Sequence, residues 1–286
     1  MIPTPFDYQA PATLEEAVAL LASDLDGAKV LAGGHSLIPA MKLRLAQPQL
    51  LVDIARIKSL SYIREEGDEI RIGATTTHYE LESSDLLKRI CPLLPACAAS
   101  IGDVQVRNKG TIGGSVAHSD PAGDWPAAVL ALDADLVLVG TNGERTVKAE
   151  NFFVHLLTTD LQPGEILREI RIKKPTGRFA HAYQKVPHPA SGFAVVGVAV
   201  NLALNDDSSC KSAGIGITGV AVKAYRAKAV ESALAGSNLD DNTIAAAVTH
   251  VCDGIDPTGD LYASSDYRRH LAQVHTRRAI QAAKAH

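Results

Sequence analysis

Two short glycine pairs constrain this 286-residue chain more than any other feature. One is Ala32-Gly33-Gly34-His35-Ser36. The other is Thr111-Ile112-Gly113-Gly114-Ser115, and both set Gly-Gly close to a hydroxyl residue. Glycine lacks the Cβ that would hold a ligand away from the backbone, and it tolerates positive φ. Successive N–H groups in such a turn form a concavity that binds anions. The first pair runs from a short apolar strand over 29–32 into a helix expected over 37–45, whose positive end adds to that field. Ser36, Thr111 and Ser115 supply hydroxyl donors. Two such loops are expected to clasp one diphosphate from both sides. The plainer alternative is a pair of tight turns with no ligand, since Gly-Gly marks turns in general. Neither loop is a Walker A, because no Gly-Lys-Ser/Thr follows.

Asp124 follows the second loop, inside Ser119-Asp120-Pro121-Ala122-Gly123-Asp124-Trp125-Pro126. A carboxylate there suits ribose hydroxyls, as in other dinucleotide sites. Equally, Asp120 or Asp124 caps a helix starting near Trp125. A third glycine-rich stretch, Gly214-Ile215-Gly216-Ile217-Thr218-Gly219, matches the dinucleotide fingerprint G-x-G-x-x-G. Here the six residues read as part of a strand, with Ala213, Ile215 and Ile217 on one face and Gly214, Gly216 and Thr218 on the other. No second parallel strand follows. The stretch is expected to be a glycine-faced strand packed close to a helix.

Thr13 can cap a helix over 13–21, with Glu16 three residues on and a Leu14, Val18, Leu21 stripe. Further strands are expected at 50–54, 70–72 and 75–77, and helices at 80–89, 92–100 and 125–132. Thr141-Asn142-Gly143 signals a hairpin between strands 135–139 and 144–147. A strand over 166–172 ends at Lys173-Lys174-Pro175-Thr176-Gly177, which marks a domain boundary. The second half holds three strands, 180–186, 193–204 and 212–220, then three helices, 225–234, 243–251 and 267–285. This is a segregated α+β arrangement.

Lys plus Arg is 28 and Asp plus Glu 32, so the net charge of −4 lacks the electrostatic footprint of a nucleic-acid binder. The apolar run 193–200 is too short to span a membrane. Met1 to Ala10 lacks the basic and apolar regions of a secretory signal. A soluble cytoplasmic protein is expected. Cys91, Cys97, Cys210 and Cys252 fit no zinc or iron–sulfur spacing and read as buried free thiols. His35 and His118 lie in or beside the loops without a metal-ligand pattern, so no metal site is expected in this chain. Arg268, Arg269, Arg277 and Arg278 read as a solvated basic face of the last helix.

With Ala32 to Pro39 and Arg107-Asn108-Lys109-Gly110-Thr111 to Ser115, the sequence resembles the FAD-binding medium subunit of molybdenum hydroxylases. The likeness is to the carbon monoxide dehydrogenase flavoprotein type, related to the flavin domain of xanthine dehydrogenase. It covers essentially the whole chain. Pro163 to Leu167 and Gly219 to Glu231 carry it further. The resemblance implies an α+β fold with a two-subdomain FAD-binding domain of the PCMH/vanillyl-alcohol-oxidase type over 1–176, divided at about 56/57. A small C-terminal α+β domain over 177–286 would follow, with a three-stranded sheet and a helix bundle.

The same resemblance implies that Ala32, Gly33, Gly34, His35, Ser36 and Leu37, with Thr111, Gly113, Gly114 and Ser115, contact FAD at its diphosphate and nearby. Asp124, Leu167, Lys185 and Phe193 match further cofactor contacts, Phe193 beside the isoalloxazine. A lysine there would stabilise the anionic reduced ring. Ser115 stands where many members have Asn, and Gly192 where many have Asp. The implied role is electron transfer. A large subunit with the molybdenum cofactor would oxidise carbon monoxide, an aldehyde or an N-heterocycle. A small [2Fe–2S] subunit would pass electrons to FAD here, and an external acceptor would take them, in a dimer of heterotrimers (a heterohexamer). In this reading no side chain of this chain acts as acid, base or nucleophile. Two alternatives stay open: a stand-alone FAD oxidoreductase using Tyr79, His118 or Tyr183 as proton donor, or a non-enzymatic nucleotide-binding module.

Overall fold

The computed structural model describes residues 1–285. A first lobe holds β1 (Asp7–Gln9), α1 (Leu14–Ser23), β2 (Ala28–Leu31), α2 (Leu37–Lys42) and β3 (Leu50–Asp53). Its three strands form a parallel sheet in the order β1-β3-β2. Thr13 caps α1 by accepting the Glu16 N–H, and Glu16 in turn accepts the Ala12 N–H at 2.8 Å. Leu14, Ala17, Val18 and Leu21 are then buried on one face, as the apolar spacing predicts.

A second lobe follows: β4 (Ile63–Glu66), β5 (Glu69–Gly73), α3 (His78–Ser83), α4 (Asp85–Ile90), α5 (Leu93–Ala99), α6 (Val104–Arg107), α7 (Ile112–His118), α8 (Asp124–Ala131), β6 (Asp135–Gly140), β7 (Gly143–Lys148), α9 (Ala149–Phe152), β8 (Phe153–His155), β9 (Thr158–Thr159) and β10 (Ile166–Lys173). Strands β4-β5-β10-β6-β7 make one antiparallel sheet, and β8 pairs with β9. The β6–β7 turn at Thr141-Asn142-Gly143 is the hairpin the sequence signals, with φ of 103° at Gly143. Trp125 and the apolar faces of α5, α7 and α8 fill the core against this sheet.

Three elements depart from the sequence reading here. Thr75–Thr77 is not a strand. The Thr76 hydroxyl exchanges hydrogen bonds with the Tyr62 backbone, and Thr77 and Glu80 form a capping box that starts α3. Their hydroxyls offer the backbone an alternative to the ladder. The helix expected over 80–89 breaks at Ser84, whose side chain caps α4 by accepting the Leu87 N–H. The second glycine pair is not a free loop either. Thr111 caps α7 by accepting the Gly114 N–H, so Gly113, Gly114 and Ser115 form its first turn.

The remainder contains β11 (Arg178–Pro187), β12 (Ala194–Leu204), β13 (Cys210–Thr218), β14 (Tyr225–Arg226), α10 (Lys228–Leu234), α11 (Asp241–Ala247) and α12 (Ser265–Lys284). The sheet has four strands in the order β11-β12-β13-β14, not the three expected. Tyr225 and Arg226 pair with β13 instead of opening a helix. Glu231 fixes this edge: its carboxylate accepts the Ile215 N–H at 2.7 Å and two bonds from the Arg226 guanidinium. The helices cover one face of the sheet, and the other face meets α5 and α8.

There the glycine-faced strand does its work. A Cβ at Gly214 would lie 2.1 Å from the Ala131 carbonyl oxygen, and one at Gly216 1.9 Å from that of Ala127. The G-x-G-x-x-G stretch is therefore a helix-packing surface. Arg268 also departs from the expected solvated face. It is buried and donates to the carbonyls of Val195 and Gly219 and to Asp260, tying α12 to the end of β13. All four cysteines are buried and unpaired. No helix among the described residues is long and apolar enough to cross a membrane.

Candidate functional site

The two glycine pairs meet. A Cβ on Gly33 would lie 2.2 Å from the Lys109 carbonyl oxygen and 2.7 Å from Gly110 Cα, so the turn after β2 rests directly on the residues that lead into α7. Between them opens a cleft of about 740 Å³. Its walls carry Ala32, Gly33, Gly34, His35, Ser36 and Leu37 from the first turn, and Thr111, Gly113, Gly114 and Ser115 from the start of α7. Asp124 lies on the same cleft from α8, Leu167 from β10, and Phe193 at the turn before β12.

Counting backbone donors separates the two turns. The N–H groups of Gly33, Gly34, His35, Ser36 and Leu37 find no acceptor among the described residues. Gly34 holds φ of 75°, the left-handed region that turns such N–H groups to one side. The hydroxyl of Ser36 is likewise not spent on capping α2. In the second turn the N–H groups are committed: Ile112 donates to Thr76 O, Gly113 to Ala74 O at 2.9 Å, and Gly114 to Thr111 Oγ1. What the start of α7 offers the cleft is the Ser115 side chain, the Thr111 hydroxyl and the Gly114 surface, where a Cβ would meet only Thr111 Oγ1 and, at 3.8 Å, Ala32. Gly113 is needed for packing, since its Cβ would lie 2.4 Å from that of Ala74.

Asp124 opens α8 and is 5% exposed. Its two oxygens accept from Tyr183 Oη at 2.5 Å and from Lys185 Nζ at 2.8 Å. Lys185 also donates to the Ser100 carbonyl. Burial raises the Asp124 pKa despite the Lys185 ammonium and the Tyr183 hydroxyl, and burial with the Asp124 charge pushes Tyr183 well up. Lys185 is expected beside the cofactor, yet it does not reach the cleft wall. It lies behind Asp124 because burying that carboxylate requires a partner charge. Tyr183 is similarly committed to Asp124, and of the three suggested proton donors only His118 lines the cleft. Phe193 is 45% exposed on the turn 188–193. Gly192 just before it has φ of 72°, a left-handed conformation that glycine adopts without strain.

One group at the cleft and one that braces its rim escaped the sequence reading. His78 is buried between Trp125 and Gly110 and lines the cleft. Arg145 on β7 clamps Glu165 bidentately and Asp160 through Nη1 at 2.6 Å, fixing the 160–165 segment that forms one rim. Neither sits in a local motif. Both act across long stretches of chain, so only the fold brings them to the site.

The chain matches the FAD binding domain in molybdopterin dehydrogenase over residues 4–175 and the CO dehydrogenase flavoprotein C-terminal domain over residues 181–283. It is 41% identical over 285 residues to the carbon monoxide dehydrogenase medium chain of Hydrogenophaga pseudoflava, covering 100% of this chain and 99% of that one. The glyceraldehyde dehydrogenase medium chain of Sulfolobus acidocaldarius is 36% identical over 281 residues, covering 98% of this chain and 99% of that one. The solved carbon monoxide dehydrogenase from Hydrogenophaga pseudoflava that lacks the Mo-pyranopterin moiety superposes with a TM-score of 0.96 at 42% identity, covering 100% and 99% of the two chains. With a cleft walled by both glycine turns, and with likeness running the full length, the chain belongs to the family of FAD-binding medium subunits of molybdenum hydroxylases and is an oxidoreductase subunit of the carbon monoxide dehydrogenase flavoprotein type.

Proposed function

We propose that this chain is the electron-transfer flavoprotein of a three-component molybdenum hydroxylase, taking electrons from a [2Fe–2S] subunit and delivering them to an external acceptor. The observation that carries the reading is the run of uncommitted N–H groups from Gly33 to Leu37, facing the start of α7 across one cleft. These donors fit a diphosphate, and the apolar and aromatic surface of Leu167 and Phe193 fits a flavin ring. FAD, when bound, supplies two-electron acceptance coupled to onward transfer.

The chain's own residues would bind, orient and tune. Gly33 to Leu37 and Thr111 to Ser115 would flank the diphosphate. Asp124, whose two oxygens already accept from Tyr183 and Lys185, would accept hydroxyl hydrogen bonds with its remaining lone pairs. Lys185 would act through Asp124. Substrate oxidation would sit on a large subunit carrying the molybdenum cofactor, in a dimer of heterotrimers. One relative's medium chain is named for carbon monoxide and another's for glyceraldehyde, which supports placing the choice of substrate on another subunit.

The test is purification of the chain with its co-purifying partners, followed by an absorbance spectrum and a gel. A flavin spectrum with two partner chains is expected. Flavin with no partner, reducible by a small molecule, would favour the stand-alone oxidoreductase. A colourless protein that cannot be reconstituted with FAD would overturn both.

A further inference from the structure

His78 begins α3 and is 4% exposed. Its Nδ1 accepts the indole N–H of Trp125 at 3.0 Å. Trp125 is fully buried and is no part of the cleft wall. A ring nitrogen that accepts carries no proton, so in the neutral ring the hydrogen sits on Nε2. Burial, with the nearby His35 and Arg107, pushes the ring's pKa down to about 4, which keeps it neutral.

Nε2 has no acceptor among the described residues. It lies against Gly110, where a Cβ would come within 2.6 Å of it. Gly110 and His78 both line the cleft, next to Thr111 and across from Gly33 and His35. Nε2 is not one of the fully enclosed polar atoms without a partner, so it opens onto the cleft that His78 lines, where a ligand oxygen can take its hydrogen in place of water.

We propose that His78 is a further cofactor-binding residue, whose Nε2–H donates to a diphosphate oxygen held between the Gly33–Leu37 turn and the start of α7. Trp125 is its positioning residue, because the indole N–H fixes which ring nitrogen carries the hydrogen. The proposal rests on the FAD reading of the cleft.

The test titrates FAD into the flavin-stripped complex carrying wild-type chain, His78→Gln or His78→Asn. Gln places an amide N–H near the Nε2 position. Asn is too short to reach it but keeps an acceptor near Nδ1 for Trp125. His78→Gln is expected to stay within about threefold of wild-type affinity, and His78→Asn to bind FAD about 10–100-fold more weakly. ADP, which carries the diphosphate without the flavin, should weaken by a similar factor. A purely structural His78 predicts the reverse order, and wild-type affinity in His78→Asn would overturn the proposal. So would a loss confined to FAD and absent for ADP. Should His78→Asn fail to fold, a crystal structure of the FAD-loaded wild-type complex decides. Nε2 is expected within about 3.2 Å of a diphosphate oxygen, and a gap beyond about 4 Å overturns the assignment. Wild-type complex that binds neither FAD nor ADP would refute the FAD reading itself.

Discussion

One added methyl group separates the two reasons for glycine at the cleft. In Gly33→Ala the new Cβ would lie 2.2 Å from the Lys109 carbonyl oxygen and 2.7 Å from Gly110 Cα. Both obstacles are backbone, so one turn must move off the other. Overpacking of this kind costs about 1–3 kcal/mol. For a chain of this size each kcal/mol lowers Tm by about 2–4 °C. In Gly114→Ala the Cβ would meet Thr111 Oγ1 at 2.8 Å and nothing else closer than Ala32 at 3.8 Å. Disturbing the Thr111 cap costs about 1 kcal/mol, while alanine in a helix gains up to about 1 kcal/mol over glycine. The two effects nearly cancel, so the flavin-free Tm should hardly move. The methyl would nevertheless occupy cleft surface, and FAD affinity should fall at least about tenfold, a loss of about 1.4 kcal/mol. Thermal melting of the flavin-free protein and an FAD titration check both halves. If Gly114→Ala melts as low as Gly33→Ala, or retains full FAD affinity, the assignment of Gly114 to the ligand surface is wrong.

Three further outcomes follow from buried charges and close contacts. Glu169 is fully buried; burial pushes its carboxyl up, but the Tyr62 hydroxyl and the Arg171 and Arg168 guanidinium groups outweigh this and hold it below the usual range. Its stabilising contribution is present above the unfolded pKa of about 4.3 and lost as pH falls through the folded value. Glu169→Gln should therefore cost about 1.5–3 kcal/mol at neutral pH and flatten the acid limb of a denaturation-versus-pH curve, and an unchanged acid limb would refute it. Lys185→Met leaves the Asp124 carboxylate buried without its cation, a loss of about 3–5 kcal/mol. A raised carboxylate pKa makes stability fall as pH rises above the unfolded value, so the variant should lose stability as pH rises past about 3.9, the unfolded Asp value, in urea titrations; Asp124→Asn in the same background should restore part of it. Gly216→Ala drives a Cβ to within 1.9 Å of the Ala127 carbonyl oxygen and should lower Tm while FAD affinity in the folded fraction stays at the wild-type level; selective loss of FAD would revive the dinucleotide reading of that stretch.

Local patterns carried the parts of the fold that local chemistry decides. The Thr13–Glu16 cap, the Asn142-Gly143 hairpin and the two-faced strand at Gly214–Thr218 each depend on residues a few positions apart, and each stands as the spacing predicts. Features decided by long-range contacts were not legible. A threonine run suits a strand by propensity, yet Tyr62 and Glu80 claim the hydroxyls of Thr76 and Thr77. Arg268 reads as one of four solvated basic residues until β12 and β13 present their carbonyls to it. Lys185 matches a cofactor contact by position, and only the burial of Asp124 shows that its charge is already taken. His78 carries no motif, since its significance comes from Trp125 and Gly110, which reach it from other segments.

The two glycine turns look alike in sequence and invite a symmetric clasp, but a donor count makes them unequal partners. A backbone N–H binds a ligand only if the protein has not already used it. The first turn follows a strand that ends at Leu31, and its five N–H groups find no acceptor among the described residues. The second turn opens a helix whose first amides anchor to Ala74, Thr76 and Thr111, so its glycines serve close packing and an unobstructed surface. The first turn can therefore supply the electrostatic grip, and the second the steric floor on which that grip closes. Glycine is required in both turns, at Gly33 and Gly113 for contact with the protein's own backbone and at Gly34 for its sign of φ. Sequence similarity between the turns thus reflects a shared residue type meeting different physical demands, and only the hydrogen-bond ledger of the fold tells the two apart.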